Sequence, residues 1–403
     1  MRLLAVLVAL MLTLCPAPAR GQMVMNLGNA AASLDRTPPF TRTELRVLDS
    51  ILGLTDEQRE LVQALHAEFS ARYQDRLGEG RGRIEPMVEE SMIMMDREPL
   101  EEAQAIASEF RRSREAMREE FIADLRLVLD RGQSELWPRV ERELRRPRLL
   151  ANGSFVGESV DLIALVDARV PLWTERDGLV EELDAYARRL DQAMLERDRL
   201  LDSKGGRNFL ELVSTDTAEA TRVVERANEA RARVREVNTS TIARLRNLLP
   251  TNDAETLERA FYLQSIEKLV PESPITRRIL ASDQLESLTD EQRPSVERIA
   301  AEYRAGRTAS LKDLFEAIAA TQEDMLPESL DKAIRTEQGL PERDWTLHGQ
   351  PIPIFEEALR RRLERDRRAW TALRSILTDE QIEHLPGLGN PNVSFPSLMR
   401  RFP

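Results

Sequence analysis

The pentapeptide Leu54-Thr55-Asp56-Glu57-Gln58 returns unchanged at Leu288–Gln292 and again at Leu377–Gln381, and each copy meets helical periodicity. Thr is a good helix N-cap, because its hydroxyl can accept a hydrogen bond from a first-turn amide that has no partner inside the helix. Gln, three residues on, can reach back to the N–H of the cap and complete a capping box. The intervening Asp and Glu set negative charge against the positive end of the helix dipole, worth about 0.3–1 kcal/mol each when exposed. The copy at Thr378 also has a hydrophobic staple, since Leu377 can pack on Ile382. At Thr55 and Thr289 the staple position holds Arg59 and Arg293. One such box is a generic helix start. Three identical boxes in equivalent contexts describe a repeated helical unit.

Other positions fall into the same register. Leu125–Leu129, Leu245–Leu249 and Leu373–Leu377 share an LRxxL pattern, 120 and 128 residues apart. Upstream, Leu54, Leu172 and Leu288 correspond at offsets of 118 and 116. From them Val62, Val180 and Val296 align, as do Leu65, Leu183 and Ile299. Self-similarity at a fixed period is the signature of a repeat architecture. The expected fold is all-α, in three tandem units, each a short lead helix followed by a long antiparallel hairpin.

In the first unit, Leu54, Leu61, Leu65, Phe69, Tyr73 and Leu77 form one apolar stripe, which Gly78, Gly80 and Gly82 are expected to stop. The return arm carries Phe110, Met117, Phe121, Leu125 and Val128, a seam close to a 3.5-residue repeat, with Pro99 in its first turn. The second unit sets Leu179, Leu183, Tyr186 and Leu190 against Val234, Val237, Leu245 and Leu248, turning at Lys204-Gly205-Gly206. The third sets Leu288, Val296, Ile299, Tyr303, Leu311 and Leu314 against Phe355, Leu359, Leu363, Trp370 and Leu373. Its arms are joined by a longer connection, Pro327 to Pro353, that holds Trp345 and His348. Linkers are expected at Pro147–Glu158 and Pro271–Pro274. The units then span 39–146, 158–270 and 274–386, with an irregular tail over 387–403. Seams this narrow bury little on their own, so packing between units or a homodimer is expected.

The first residues point to export. Arg2 precedes an apolar run from Leu3 to Cys15 and the segment Pro16-Ala17-Pro18-Ala19. A short basic start, an apolar run and an Ala-x-Ala site describe a secretory signal peptide over 1–19, followed by an N-terminal segment over 20–38. The run is shorter than the roughly 20 residues that span a bilayer. The rival is an outer-membrane lipoprotein processed at Cys15, the one cysteine, although Leu14 stands where a small residue is expected. The net charge of −12 argues against nucleic acid as a partner. Lysine occurs at Lys204, Lys268, Lys312 and Lys332 alone, and charges of both signs are interspersed as on solvated helix faces.

An LTxxQ box opening a long helix, with a second one closing its antiparallel partner, resembles the Spy/CpxP-like family of periplasmic chaperones and stress adaptors. The third unit carries the resemblance best, on Leu288, Thr289, Gln292 at one end and Leu377, Thr378, Gln381 at the other. The first keeps Leu54, Thr55 and Gln58 and a weakened Leu129-Asp130-Arg131-Gly132-Gln133. The second has lost both boxes, with Leu172–Arg176 and Leu249–Asp253 in their place. The resemblance implies a helical-hairpin fold and protein partners, either unfolded clients or a component of the envelope. Family members look like single hairpins with basic client-facing surfaces, whereas this chain is three units long and acidic.

No catalytic or cofactor pattern competes. His66, His348 and His384 are far apart and lack HExxH spacing, and Gly78-Glu79-Gly80-Arg81-Gly82 is neither a dinucleotide fingerprint nor a P-loop. No enzyme activity and no cofactor are expected. Met87, Met92, Met94 and Met95 cluster near the first turn, where methionine suits adaptable apolar contacts or soft metals such as Cu(I). Met92, Met94 and Met95 are therefore the candidate metal ligands. Three readings follow: a holdase-like chaperone or envelope-stress adaptor, a scaffold subunit with a fixed partner, and a metal-responsive envelope protein.

Overall fold

The computed structural model describes residues 38–94, 98–202, 208–267, 269–270, 272–323, 325–340 and 353–386. Among them every regular element is a helix. In chain order these are α1 (Arg42–Leu52), α2 (Asp56–Met94), α3 (Glu98–Val128), α4 (Arg131–Ala151), α5 (Leu162–Arg169), α6 (Asp177–Asp202), α7 (Asn208–Thr215), α8 (Thr217–Leu248), α9 (Thr251–Ile266), α10 (Pro274–Ala281), α11 (Arg293–Glu323), α12 (Glu328–Glu337), α13 (Pro353–Arg374) and α14 (Asp379–Glu383). Single 3-10 turns lie at Trp173–Glu175 and Ser282–Gln284. The chain is all-α.

Three pairs of long arms pack together, α2 with α3, α6 with α8 and α11 with α13. By contacts the chain divides into two compact units, Met1–Leu144 and Arg145–Pro403, and the division falls within α4. In the first unit, the seam Val62, Phe69, Tyr73, Leu77 of α2 meets Phe110, Met117, Phe121, Leu125 of α3, all buried. Phe40 and Leu48 of the lead segment join this core, and the rings of Phe40 and Phe69 both pack on Phe121, with centroids 4.9 and 4.6 Å away.

In the second unit the α6–α8 and α11–α13 pairs share one core. Leu183, Tyr186, Val234 and Leu245 lie in the same buried cluster as Leu311, Leu314, Phe315 and Leu359. A separate cluster around Ile279, Val296, Tyr303 and Leu373 fills the far end of the α11–α13 pair. Among the described residues the seams are covered within the chain, except at Leu61 and Leu248, which the stripes placed in the seams and which are exposed.

Two local expectations are corrected. Gly78, Gly80 and Gly82 do not stop α2, which runs through them and through Pro86 to Met94. Each helical glycine costs about 1 kcal/mol relative to alanine, but the apolar stripe continues past them. Leu77 and Ile84 are buried in one cluster with Ala103, Ile106 and Ala107 of α3, so packing outweighs local propensity. Nor is Pro147 in a linker, because α4 continues through it to Ala151. Leu149 and Leu150 carry apolar contacts into the second core. Part of the connection after Pro327 is also regular: α12 packs Leu330, Ala333 and Ile334 against Val213, Ala220 and Val224. Trp345, His348, the turn at Lys204-Gly205-Gly206, the segments 1–19 and 20–37 and the tail 387–403 lie outside the described residues.

Candidate functional site

The repeated pentapeptides sit at the bases of two hairpins, and their glutamines do more than cap. In the first hairpin the Thr55 N–H donates to Gln58 Oε1 at 3.0 Å and the Gln58 N–H to Thr55 Oγ1 at 3.2 Å. Across the base, just before α4, Asp130 takes the place of threonine. The Asp130 N–H donates to Gln133 Oε1 at 3.0 Å, and the Gln133 N–H to the Asp130 carboxylate at 2.8 Å. The weakened motif is thus a complete box, because an aspartate oxygen caps as well as a threonine hydroxyl.

The two boxes then join across the base. Gln58 Nε2 donates to Gln133 Oε1 at 2.8 Å, and Gln133 Nε2 donates to Gln58 Oε1 at 2.9 Å. The second proton of each amide goes to a backbone carbonyl across the gap, from Gln58 to Val128 and from Gln133 to Leu52. A carboxamide offers two donors and two acceptor lone pairs. All four are used in each residue, so the clasp leaves no polar atom of either amide unpaired.

The third hairpin repeats this arrangement. The Thr289 and Gln292 box and the Thr378 and Gln381 box both close. Gln292 and Gln381 exchange amide hydrogen bonds at 3.2 and 3.0 Å. They also reach the carbonyls of Ile376 and Ser287. Helix α11 begins at Arg293, four residues after its cap: the Arg293 N–H donates to the Thr289 carbonyl at 3.0 Å, but Pro294 has no N–H for the next bond. Leu377 and Ile382 lie in one apolar cluster, as a staple requires. At the first base Leu54 is buried, and Arg59 donates to the Leu54 carbonyl at 3.0 Å while pairing with Asp49.

The second hairpin departs from this pattern at the aligned residues. Arg176 stands at the position of Gln58 and Gln292, and Asp253 at that of Gln133 and Gln381. Arg176 Nη1 lies 3.5 Å from Asp253 Oδ2. An ion pair replaces the clasp. The α9 cap there, Pro250, makes no side-chain bond, and neither does Leu172 before the 3-10 turn. A partly exposed pair of this kind contributes between about 0 and 1 kcal/mol. The second base is therefore the one held least firmly by polar groups.

A buried polar network lies beside the third base. Asp366 accepts from Tyr303 Oη at 2.7 Å and from Thr276 Oγ1 at 3.2 Å. Burial, reinforced by the Asp366 carboxylate, pushes the Tyr303 phenol up to about 12. Nearby, Arg304 makes a bidentate contact with Asp283, and that hydrogen bond holds the Asp283 carboxyl below its ordinary range. Periodicity placed Tyr303 in the seam, but nothing in it paired the phenol with Asp366.

The remaining candidates do not meet. His66 is buried 3.1 Å from the Phe40 carbonyl, whereas His384 is exposed and bonds the Glu380 carbonyl of its own turn. Met87 packs on the first core. The side chains of Met92 and Met94, and the whole of Met95, lie outside the described residues. Among the described residues no group of three or more His, Cys, Asp or Glu could hold a metal ion, and no helix is long and apolar enough to cross a membrane. Comparison with protein-family models, with curated proteins and with solved structures finds no match.

Proposed function

We propose that this chain is an exported helical binding protein of LTxxQ type, built from three degenerate hairpin units, that holds other polypeptides in the cell envelope as a holdase-like chaperone or stress adaptor. The observation that carries the reading is the reciprocal amide clasp. Paired boxes on antiparallel arms are the feature on which the Spy/CpxP-like resemblance rests, and here they face each other at two separate hairpin bases. The ion pair of Arg176 and Asp253 at the aligned positions supports a third, diverged unit.

The covering of the seams favours this reading over a scaffold whose seams are completed by a fixed partner. Tyr73, Leu125, Val234 and Leu314 are already buried by their own chain. What remains for a partner is the outer surface. Leu61, Leu127, Leu136, Leu172, Val180 and Leu248 are exposed there, within or beside the first two or last two turns of helices that meet at the hairpin bases.

The deciding experiment is suppression of aggregation. Near-stoichiometric amounts of the chain should keep an unrelated, thermally unfolding protein from scattering light. No suppression at any ratio removes the holdase reading. Export is tested separately by sequencing the N-terminus of the protein recovered from the envelope fraction, which should begin directly after Ala19.

A further inference from the structure

At the base of the second hairpin, positions that are buried or half-buried in the other two are turned outward. Leu54 and Leu288 are buried, but the aligned Leu172 is 67 % exposed. Val62 and Val296 are buried, and the aligned Val180 is 38 % exposed. Leu248 is 47 % exposed, where its counterparts Val128 and Ile376 are half-buried.

The backbone that leads into this base differs from that of the first hairpin. Before the first hairpin, α1 ends on Gly53, whose φ of +58° turns the chain so that Leu54 faces the core. The aligned residue before the second hairpin is Pro171, whose ring holds φ near −65° and cannot take that turn. The left-handed step passes to Leu172, with φ +52°. Among the described residues it is the one non-glycine with positive φ. Backbone strain of this sort clusters at working sites more than in packing frames.

Leu248 belongs to the same end of the hairpin, since a Cβ on Gly178 would lie 3.9 Å from its Cδ2. The surrounding charge is one-sided. Asp167, Glu175, Asp177 and Glu181 are exposed on these segments. Of the cations there, Arg176 already faces Asp253 and Arg246 faces Glu258 at 3.7 Å, which leaves Arg169 and the neighbouring Arg259 against four carboxylates.

We propose that this open base is a docking site for a polypeptide segment bearing an aliphatic side chain flanked by lysine or arginine. The inference rests on the binding-protein reading above and names the class of segment bound. The aliphatic side chain covers Leu172, Val180 and Leu248, and the flanking cations meet the acidic rim. The electrostatic part weakens as salt screens it.

The test is a fluorescence-anisotropy titration of the full chain into a labelled short peptide that alternates leucine and lysine, beside one that alternates leucine and glutamate. The leucine–lysine peptide should bind saturably and more weakly at high salt, and the leucine–glutamate peptide should not bind. Leu172→Ser and Leu248→Ser, both at exposed positions, should each weaken binding by at least about tenfold. Leu340→Ser, at an exposed position away from the hairpin bases, should leave it unchanged. Equal affinity of wild type and the two base variants, an equal loss in Leu340→Ser, or equal binding of both peptides overturns the site. Intact aggregation suppression alongside any of those results would leave the holdase reading standing without this site.

Discussion

Gln58 at the start of α2 and Gln133 at the start of α4 exchange two amide hydrogen bonds at 2.8 and 2.9 Å across the base of the first hairpin, while each also completes its own capping box. One residue type thus starts two helices and ties them to each other. The choice of glutamine follows from that double duty. Glutamate would complete a box equally well, but its carboxylate has no proton to donate across the base.

The clasp therefore predicts a specific response to Gln133→Glu. At neutral pH the carboxylate would face Gln58 Oε1 and the Leu52 carbonyl with lone pairs only, costing about 1–3 kcal/mol. The folded state then favours the protonated acid, so the folded pKa of Glu at this position lies above its unfolded value. The deficit is present above that folded pKa and shrinks as pH falls through it, because protonation restores a donor. Melting curves of the variant and the parent across the acid range should converge towards low pH. Parallel curves at all pH values would mean that the crossing bonds contribute nothing. Gln133→Ala, by contrast, should lose about 1–3 kcal/mol with no such pH dependence.

Gly78 and Gly82 lie in the interior of α2, in helical conformation, and a Cβ at either meets nothing within 4 Å. Alanine there should stabilise by about 0.5–1 kcal/mol per site, through the backbone entropy that glycine gives up on folding. Thermal unfolding of Gly78→Ala with Gly82→Ala should show a higher midpoint than the parent. A lower one would mean that α2 bends at these residues in solution.

The same glycines show what could and could not be read from the sequence. The stripes of α2, α3, α6, α8, α11 and α13 were legible because apolar spacing is a direct imprint of a buried helix face. The boxes were legible because their partners are three residues apart. The ends of helices were not. Gly78 and Pro147 carry breaker propensities of a few kcal/mol at most, and burial of Ile84 and Leu150 outweighs them. The clasp itself was hidden, since Gln58 and Gln133 become neighbours only once two seams have packed. So was the pairing of Arg176 with Asp253, two residues that had read simply as lost motif positions.

Leu172→Gly should separate strain from function. Glycine takes φ +52° at little cost, so the variant should gain up to about 1 kcal/mol of stability even though an apolar side chain is lost. A side chain that served only to pack would destabilise on removal. Chemical denaturation reads the difference, and a loss of stability would show that Leu172 is held by contacts that the strain argument ignores.

Tyr303 gives the alkaline counterpart of the Gln133 experiment. Its phenol ionises near 10 in an unfolded chain and at about 12 in the fold, because burial and then the Asp366 carboxylate oppose a second negative charge. Between those values the unfolded chain gives up its proton first, so stability falls as pH rises from about 10 to 12. Tyr262 is raised to about 12 as well, by burial and then by Glu258, and contributes in the same direction. Tyr303→Phe keeps the ring in the seam and removes the titrating group. At neutral pH it should cost about 1–3 kcal/mol, since Asp366 loses a 2.7 Å donor and keeps Thr276. At alkaline pH it should lose less than the parent does, so the gap between the two stability curves narrows. Melting temperatures of both proteins from neutral to strongly alkaline pH measure this directly. A gap that stays constant would mean that Tyr303 titrates as it does in water, and that the network around Asp366 is open to solvent.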